Sequence, residues 1–369
     1  MKRITALVSN DIEFDQRVRK VCTTLSDMGF EVHIAGRYMK GSRPFASPFH
    51  IHRFHLLFQK GAWFYAALNI RLFFFLLFHR TDVILANDLD TLFPAYLVAR
   101  IRRIPLVYDS HEYFTGAEAL TNRPFIRGVW ERIEKFIVPK LKHMYTVNES
   151  IAEIYRNQYG IPVSVVRNVP GLSEPVSASR SDLGLPENKA VIILQGAYID
   201  PDRGAAEAVE AMRYVEDAIL LIIGAGREME RLKSMAASPD LSAKVHILGK
   251  MPFQELRRYT SCADLALSLD KPVHLNYMYS LPNKLFDYIH AGVPVLLSRL
   301  PELERIMNEG EIGMFIDNHD PKHIAGKISE ALLSPQRSQW KANMKVAAQR
   351  HNWQHEETVL RRMYKGFLK

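Results

Sequence analysis

The chain has 369 residues, 47% of them hydrophobic and 24% charged, which is too long for one ordinary core and too apolar for a disordered chain, so two packed domains are expected. Its two cysteines, Cys22 and Cys262, lie far apart and exclude a disulfide framework or a cysteine metal site, pointing to a reducing, cytoplasmic compartment. The formal charge of +8 sits in the N-terminal half, where residues 1–180 hold 24 Lys/Arg against 16 Asp/Glu; such an excess attracts an anionic partner without specifying it, and is equally a solubility charge.

The opening MKRITALVSNDIEFD has too short an apolar run for a secretory signal and reads as a first strand, with Asn10 and Asp11 in the turn after it. FDQRVRKVCTTLSDMG follows as an amphipathic helix and FEVHIAG as a strand. Next, AWFYAALNIRLFFFLLF, Ala62 to Phe78, carries Asn69 and Arg71 at its middle and falls short of the roughly 20 apolar residues of a membrane span. A buried helix packed on a sheet is the first reading, and an aromatic face dipping into a bilayer the second. DVILA and PLVYD are strands whose carboxyl ends carry Asp88 and Asp90, then Asp109, Ser110, His111 and Glu112. A His in such a place can hydrogen-bond a substrate hydroxyl or be purely structural, and Asp90 also reads as a charge at the start of the next helix. HMYTV and VSVV complete a parallel α/β pattern, which stops at the Pro- and Ser-rich NVPGLSEPVSASRSDLGLPENK. The expected division is a domain over 1–170, a linker over 171–188, a second domain over 189–350 and a C-terminal helix over 351–369 that returns to the first domain.

The second domain repeats the alternation: AVIILQG, AILLIIG, KVHILG, ADLALSL, VPVLLS and GMFID are strands separated by helices. Two such parallel units imply a ligand cleft at the carboxyl ends of their strands. QGAYIDPDRG, Gln195 to Gly204, reads either as an ordinary turn or as an anion grip, with Gly196 and Arg203 at a helix start. LLIIGAG lacks a dinucleotide fingerprint because Met229 stands at the third glycine position, which argues against a nicotinamide enzyme. The stretch SLPNKLFDYIHAGVPVL reads as a helix with Pro282 in its first turn and Ser280 near its cap, ended by Gly292 and Pro294. Asn283, Lys284 and Asp287 share a face there; free N–H groups and Lys284 suit a diphosphate and Asp287 a ribose, whereas the bland alternative is a weak exposed pair.

Together SNDIEFDQRVRKVCTTLSDMGFEVHIAG, ANDLDTLFPAYLVAR, VYDSHEYF, the Arg203-Gly204 turn and SLPNKLFDYIHAGVPVLLSRLPELERI resemble glycosyltransferase family 4, of the bacterial cell-surface polysaccharide type. The resemblance covers nearly the whole chain. It implies an α/β fold of the GT-B kind, two Rossmann-like domains facing a cleft, and retaining, metal-independent transfer of a hexose or related sugar. The expected donor is a nucleotide-sugar, UDP- favoured and GDP- admitted, with no cofactor and no metal. By resemblance and by the helix geometry above, the donor meets Gly196, Arg203, Tyr279, Ser280, Pro282, Asn283, Lys284 and Asp287. His111 holds the donor sugar, and Arg203 and Lys284 stabilise the leaving diphosphate. Asn10, Asp11, Asp88 and Glu112 face a glycan or polyprenyl-linked acceptor, nucleic acid is not a partner, and an anionic inner membrane surface is a candidate one. The sequence departs from the family where two glutamates separated by seven residues are expected: the second position is Asp287 and the first is Tyr279. The paired basic residues after the first strand of the second domain are likewise reduced to Arg203, with Tyr198 near the other position. Rival readings are a GT-B sugar epimerase or phosphorylase, and a relative that binds sugar nucleotides without turning them over.

Overall fold

The computed structural model describes residues 1–369 apart from 14, 40, 41, 43–45, 122, 175, 177 and 369. The chain divides into two units, Met1–Asn168 with His355–Lys369, and Val169–Gln354. The stretch expected as a linker over 171–188 therefore belongs to the second unit. Arg180 is the reason: it donates to Asp264 Oδ2 at 2.5 Å, to the Cys262 carbonyl at 3.2 Å and to the Lys189 carbonyl at 3.1 Å.

Unit 1 is built on seven parallel strands, β1 (Arg3–Leu7), β2 (Glu31–Arg37), β3 (His50–Phe54), β4 (Val83–Asn87), β5 (Leu106–Ser110), β6 (Met144–Thr146) and β7 (Ser164–Val165), in the order β3-β2-β1-β4-β5-β6-β7. Its helices are α1 (Gln16–Asp27), α2 (Ala62–Phe78), α3 (Leu89–Arg102), α4 (Glu118–Thr121), α5 (Pro124–Ile137) and α6 (Glu149–Tyr159). Near-continuous apolar strands such as β4, buried at all five positions, are what a parallel sheet covered on both faces demands. The direction of winding reverses between β1 and β4, so the loops after these two strands flank the place where such sheets bind ligands.

Helix α2 runs over the residues expected, with one face buried as a helix packed on a sheet requires and the other exposed. Phe64, Leu68, Leu72 and Leu76 are buried at helical spacing, while Trp63, Ile70, Phe74 and Phe78 are 72%, 59%, 53% and 81% exposed. Asn69 ties the helix down by donating to the carbonyls of Tyr65 (2.8 Å) and Asp90 (2.9 Å). Among the described residues no helix is long and apolar enough to cross a membrane.

Unit 2 has six parallel strands, β8 (Ala190–Gly196), β9 (Ala218–Gly224), β10 (Val245–Leu248), β11 (Leu265–Ser268), β12 (Val295–Ser298) and β13 (Gly313–Ile316), in the order β10-β9-β8-β11-β12-β13. Its helices are α7 (Ala205–Ala211), α8 (Met229–Ala236), α9 (Phe253–Ser261), α10 (Leu275–Met278), α11 (Asn283–Ala291), α12 (Pro301–Glu309), α13 (Pro321–Leu333) and α14 (Arg337–Arg350). The reversal here lies between β8 and β11, and the turns after them carry Arg203 and Asp270. The last helix, α15 (Trp353–Tyr364), counts with unit 1 from His355 on. Glu356, buried, accepts from the Arg167 N–H at 2.7 Å, and Thr24 donates to Glu357 at 2.9 Å.

Two local expectations need correction. Pro282 is the cap of α11, in extended conformation, and Asn283 is the first helical residue. Ser280 does not cap it: no side chain does, and the Ser280 Oγ is buried without a hydrogen-bond partner among the described residues. Gly292 does terminate the helix, at φ 70°.

Candidate functional site

In unit 2 the turn after β8 holds Arg203 between two residues in the left-handed region, Asp202 at φ 67° and Gly204 at φ 74°. Only glycine fits the second place, because a Cβ there would lie 2.3 Å from the Leu269 carbonyl oxygen. Gly204→Ala is expected to destabilise unit 2 by roughly 2 kcal/mol or more, the cost of adding strain to a clash; an unchanged midpoint in urea unfolding would refute that. So held, Arg203 lies over the Tyr277 ring, its Cζ 4.0 Å from the centroid, and donates from Nη1 to Asp270 Oδ1 at 3.0 Å. Its Nε is buried without a hydrogen-bond partner among the described residues.

Asp270 is fully buried two residues past the end of β11. Besides Arg203 it meets Lys284 Nζ at 3.5 Å and accepts from Ser268 Oγ at 3.2 Å. Burial pushes its carboxyl up, but Lys284 and Arg203 outweigh burial and hold it below the usual carboxylate value. Burial acts oppositely on Lys284 and lowers its ammonium, with Asp270 opposing. Two cations from different elements thus converge on one buried carboxylate at the carboxyl edge of the sheet. Sequence reading missed Asp270; the available signal was its place as the first charged residue after the strand ADLALSL.

The other donor-side residues are arranged around this cluster. Lys284, in the first turn of α11, turns to Asp270, whereas Asp287 one turn on accepts from Gln195 Nε2 at 3.1 Å. Gln195 is fixed in turn by Thr260, which donates to its Oε1 at 2.8 Å, and by its own N–H to the Tyr288 hydroxyl at 3.1 Å. Asn283 is exposed beside Lys284, and Tyr279 is the half-buried last cap of α10. Gly196 closes β8 with its carbonyl against Gly224, where a Cβ would approach to 1.9 Å.

In unit 1 the corresponding edge carries acids. His111 lies between two carboxylates, its Nδ1 3.4 Å from Asp88 Oδ2 and its Nε2 3.3 Å from Asp109 Oδ2, with Asn87 Oδ1 also at 3.3 Å from Nε2. Burial pushes the imidazole down, but Asp88 and Asp109 prevail and raise it to about 9. Asp88 has φ 59°, strained for a non-glycine residue. It is kept there by its N–H to the Asp109 carbonyl (2.9 Å) and by the His111 N–H to its Oδ1 (2.8 Å). Asp109 is fully buried and accepts from Arg17 Nη2 at 2.7 Å and from its Nε at 3.0 and 3.2 Å. Arg17 also donates to the Val166 carbonyl at 2.7 Å.

The remaining unit 1 candidates divide. Asp11 is buried and paired with Arg53 at 3.0 Å, and it accepts from Ser42. Asn10, exposed, donates to Asp15, the cap of α1, at 2.9 Å. Glu112 is exposed next to His111. Asp90, read from sequence as a strand-end acid or a helix-start charge, is buried with Oδ1 unpartnered among the described residues. Burial first, and the Asp88 charge second, raise its carboxyl to about 7. Nothing in its spacing distinguished it from an ordinary first-turn acid.

Two Rossmann-like domains of this kind make the GT-B architecture. The family described as glycosyltransferase family 4 matches residues 16–170, and that described as glycosyl transferases group 1 matches residues 176–348. The chain belongs to glycosyltransferase family 4. A D-inositol 3-phosphate glycosyltransferase of Acidothermus cellulolyticus is 26% identical over 72% of this chain. The match takes in 62% of that relative, so the chain spans less than two thirds of its length. Among solved structures, sucrose-phosphate synthase from Thermosynechococcus elongatus superposes with TM-score 0.76 at 17% identity, covering 100% of this chain and 99% of its own. Anabaena HepE in complex with UDP does so at 0.73 and 15%, covering 99% and 100%.

Proposed function

We propose that the protein is a retaining glycosyltransferase that moves a hexose or related sugar from a nucleotide-sugar to a glycan or lipid-linked hydroxyl. The observation that carries this is the pair Arg203 and Lys284 held on buried Asp270 at the switch point of unit 2. Two cations there match a diphosphate, and Asp287, aimed by Gln195, matches a ribose diol. UDP is the favoured nucleotide of this reading, with GDP admitted, and the complex of Anabaena HepE with UDP supports it.

In the reaction so proposed, the bond from the anomeric carbon to the leaving phosphate oxygen breaks and a bond to the acceptor oxygen forms on the same face. The acceptor proton passes to the leaving phosphate. Arg203 and Lys284 stabilise the charge growing on the diphosphate, which is the electrostatic contribution expected to dominate. No metal is assigned a step. Tyr279, where the family has a carboxylate, leaves the sugar held by neutral groups on that side.

An acceptor at the inner membrane surface is part of the same proposal. It is supported by the basic N-terminal half and by Trp63, Ile70, Phe74 and Phe78, which expose an aromatic and aliphatic strip on α2.

The test is a thermal-shift comparison of UDP-, GDP- and ADP-sugars, followed by labelled donor with a lipid extract. Stabilisation by one of the sugars, lost by about tenfold or more in affinity in Lys284→Ala and Asp287→Ala, and labelled lipid product are expected. Wild-type affinity in both variants sinks the donor site. Epimerised or hydrolysed donor without acceptor product sinks the transferase reading.

A further inference from the structure

The amino-terminal end of the unit 1 sheet, opposite the switch point, gathers histidines that the proposed reaction leaves unused. Strand β3 reads His-Ile-His-Arg-Phe and was not expected from the sequence, since its polar residues hide the apolar alternation of an edge strand. Its register against β2 pairs His33 with His50 and Ala35 with His52. Because alternate residues share a face, His33, His50 and His52 lie on one face, with small Ala35 leaving room beside His52. His79, just past the end of α2, reaches the same spot.

The nitrogens converge. His33 Nδ1 is 2.9 Å from His52 Nε2 and 3.2 Å from His79 Nε2, and all three lie within 4.8 Å of one another. The other nitrogen of His33 meets Glu31 Oε1 at 3.0 Å, and the same oxygen accepts from Arg3 at 2.8 Å. A carboxylate in that place accepts a hydrogen bond from Nε2–H and so leaves the Nδ1 lone pair facing the cluster, as the carboxylate partner of a ligating histidine does. One lone pair cannot accept well from two N–H donors at once. A cation that accepts three imidazole lone pairs resolves this.

We propose that His33, His52 and His79 bind one divalent transition-metal ion, Zn2+ by ligand type, through Nδ1, Nε2 and Nε2 respectively, with Glu31 orienting His33. Neutral imidazoles suit Zn2+, Co2+, Ni2+ and Cu2+ over Mg2+ or Ca2+. Tetrahedral ligands about 2.0–2.1 Å from zinc are about 3.3 Å apart, so the two pairs that His33 makes, at 2.9 and 3.2 Å, need to open by only a few tenths of an ångström. Burial lowers all three rings from their ordinary value, which keeps them unprotonated for a metal at neutral pH. The charges facing the cluster are Glu31, Arg3, which is paired to it, Arg102, which donates to the His79 carbonyl at 2.7 Å, and His50, stacked on His33 at 4.5 Å. The ion cross-links β2, the edge strand β3 and the end of α2. It is a structural staple, separate from sugar transfer.

Isothermal titration of tag-free, chelator-treated full chain with Zn2+ tests this, with Co2+ as a spectroscopic probe. One ion per chain is expected, with a visible Co2+ band of tetrahedral type. Affinity should fall at least about tenfold in His52→Gln and in His79→Gln and by about tenfold in Glu31→Gln, while His50→Ala stays as wild type. Circular dichroism melts of the half-buried His52 and His79 variants separate lost ligation from lost folding. No stoichiometric binding to wild type overturns the proposal, as does wild-type affinity in folded His52→Gln and His79→Gln. Loss confined to His50→Ala and Glu31→Gln also overturns it, by moving the ion to the carboxylate side. None of these readouts involves sugar transfer.

Discussion

Replacing Asp270 with Asn is expected to lower the unfolding free energy of unit 2 by about 3 to 5 kcal/mol, yet to enlarge the stabilisation given by a nucleoside diphosphate. The side chains of Lys284 and Arg203 are only 10% and 28% exposed. Without the carboxylate they are left as two close cations with an amide that cannot neutralise them. A diphosphate brings anionic oxygens to the same two groups and so restores what the substitution removed. Urea unfolding with and without UDP measures both quantities. If the variant is as stable as wild type, the cluster is not the electrostatic centre of the unit. If UDP stabilises the variant less than wild type, the diphosphate binds elsewhere.

The second large effect is expected at Asp109→Asn, which strands the buried Arg17 guanidinium and should cost unit 1 about 3 to 5 kcal/mol. Retention of wild-type stability would show that Arg17 finds another acceptor. The same cluster sets a pH dependence. His111 is raised from 6.5 to about 9, so its contribution is fully present below pH 6.5 and is lost as pH rises through 9. Asp109 lies below its ordinary 3.8, so its contribution is present above that value and is lost on further acidification. Asp90, raised to about 7, adds a cost that grows between its ordinary value of 3.8 and 7. Stability of unit 1 should therefore decline between pH 6.5 and 9, and His111→Gln should remove most of that decline, on the order of 2 kcal/mol. Denaturant unfolding of both proteins at the two pH values decides it; parallel curves would exclude His111 as the source.

The strands were legible because parallel sheets covered on both faces need uninterrupted apolar runs, and AVIILQG or DVILA offer little else. Strand β3 was not legible, since an edge strand with His50, His52 and Arg53 has no apolar signal and is defined only by its register with β2. The resemblance and the helix geometry of Asn283 to Asp287 pointed to a segment whose Lys284 joins the charged cluster at the switch point of unit 2, but not to the partners of its charges. Lys284 meets Asp270 and Arg17 meets Asp109 across long chain separations, and no local spacing encodes such a pairing. The Ser280 cap failed for a local reason: the chain enters α11 through Pro282, which sets the entry by its own fixed φ, and the serine hydroxyl turns inward.

The two switch points share a strand order but are opposite in sign. Unit 2, from the half of the sequence with no net charge, presents Arg203 and Lys284, whereas unit 1, from the half with the whole basic excess, presents Asp88, Asp90 and Asp109. Two of the cations that approach this acidic edge are already committed, Arg17 to Asp109 and Arg53 to Asp11. The net charge of a sequence half is therefore a poor guide to the polarity of the site it builds. In this chain it would put the cations in the wrong domain, because the charge at each edge is set by the few residues that the loops and strand ends carry there and not by the overall composition.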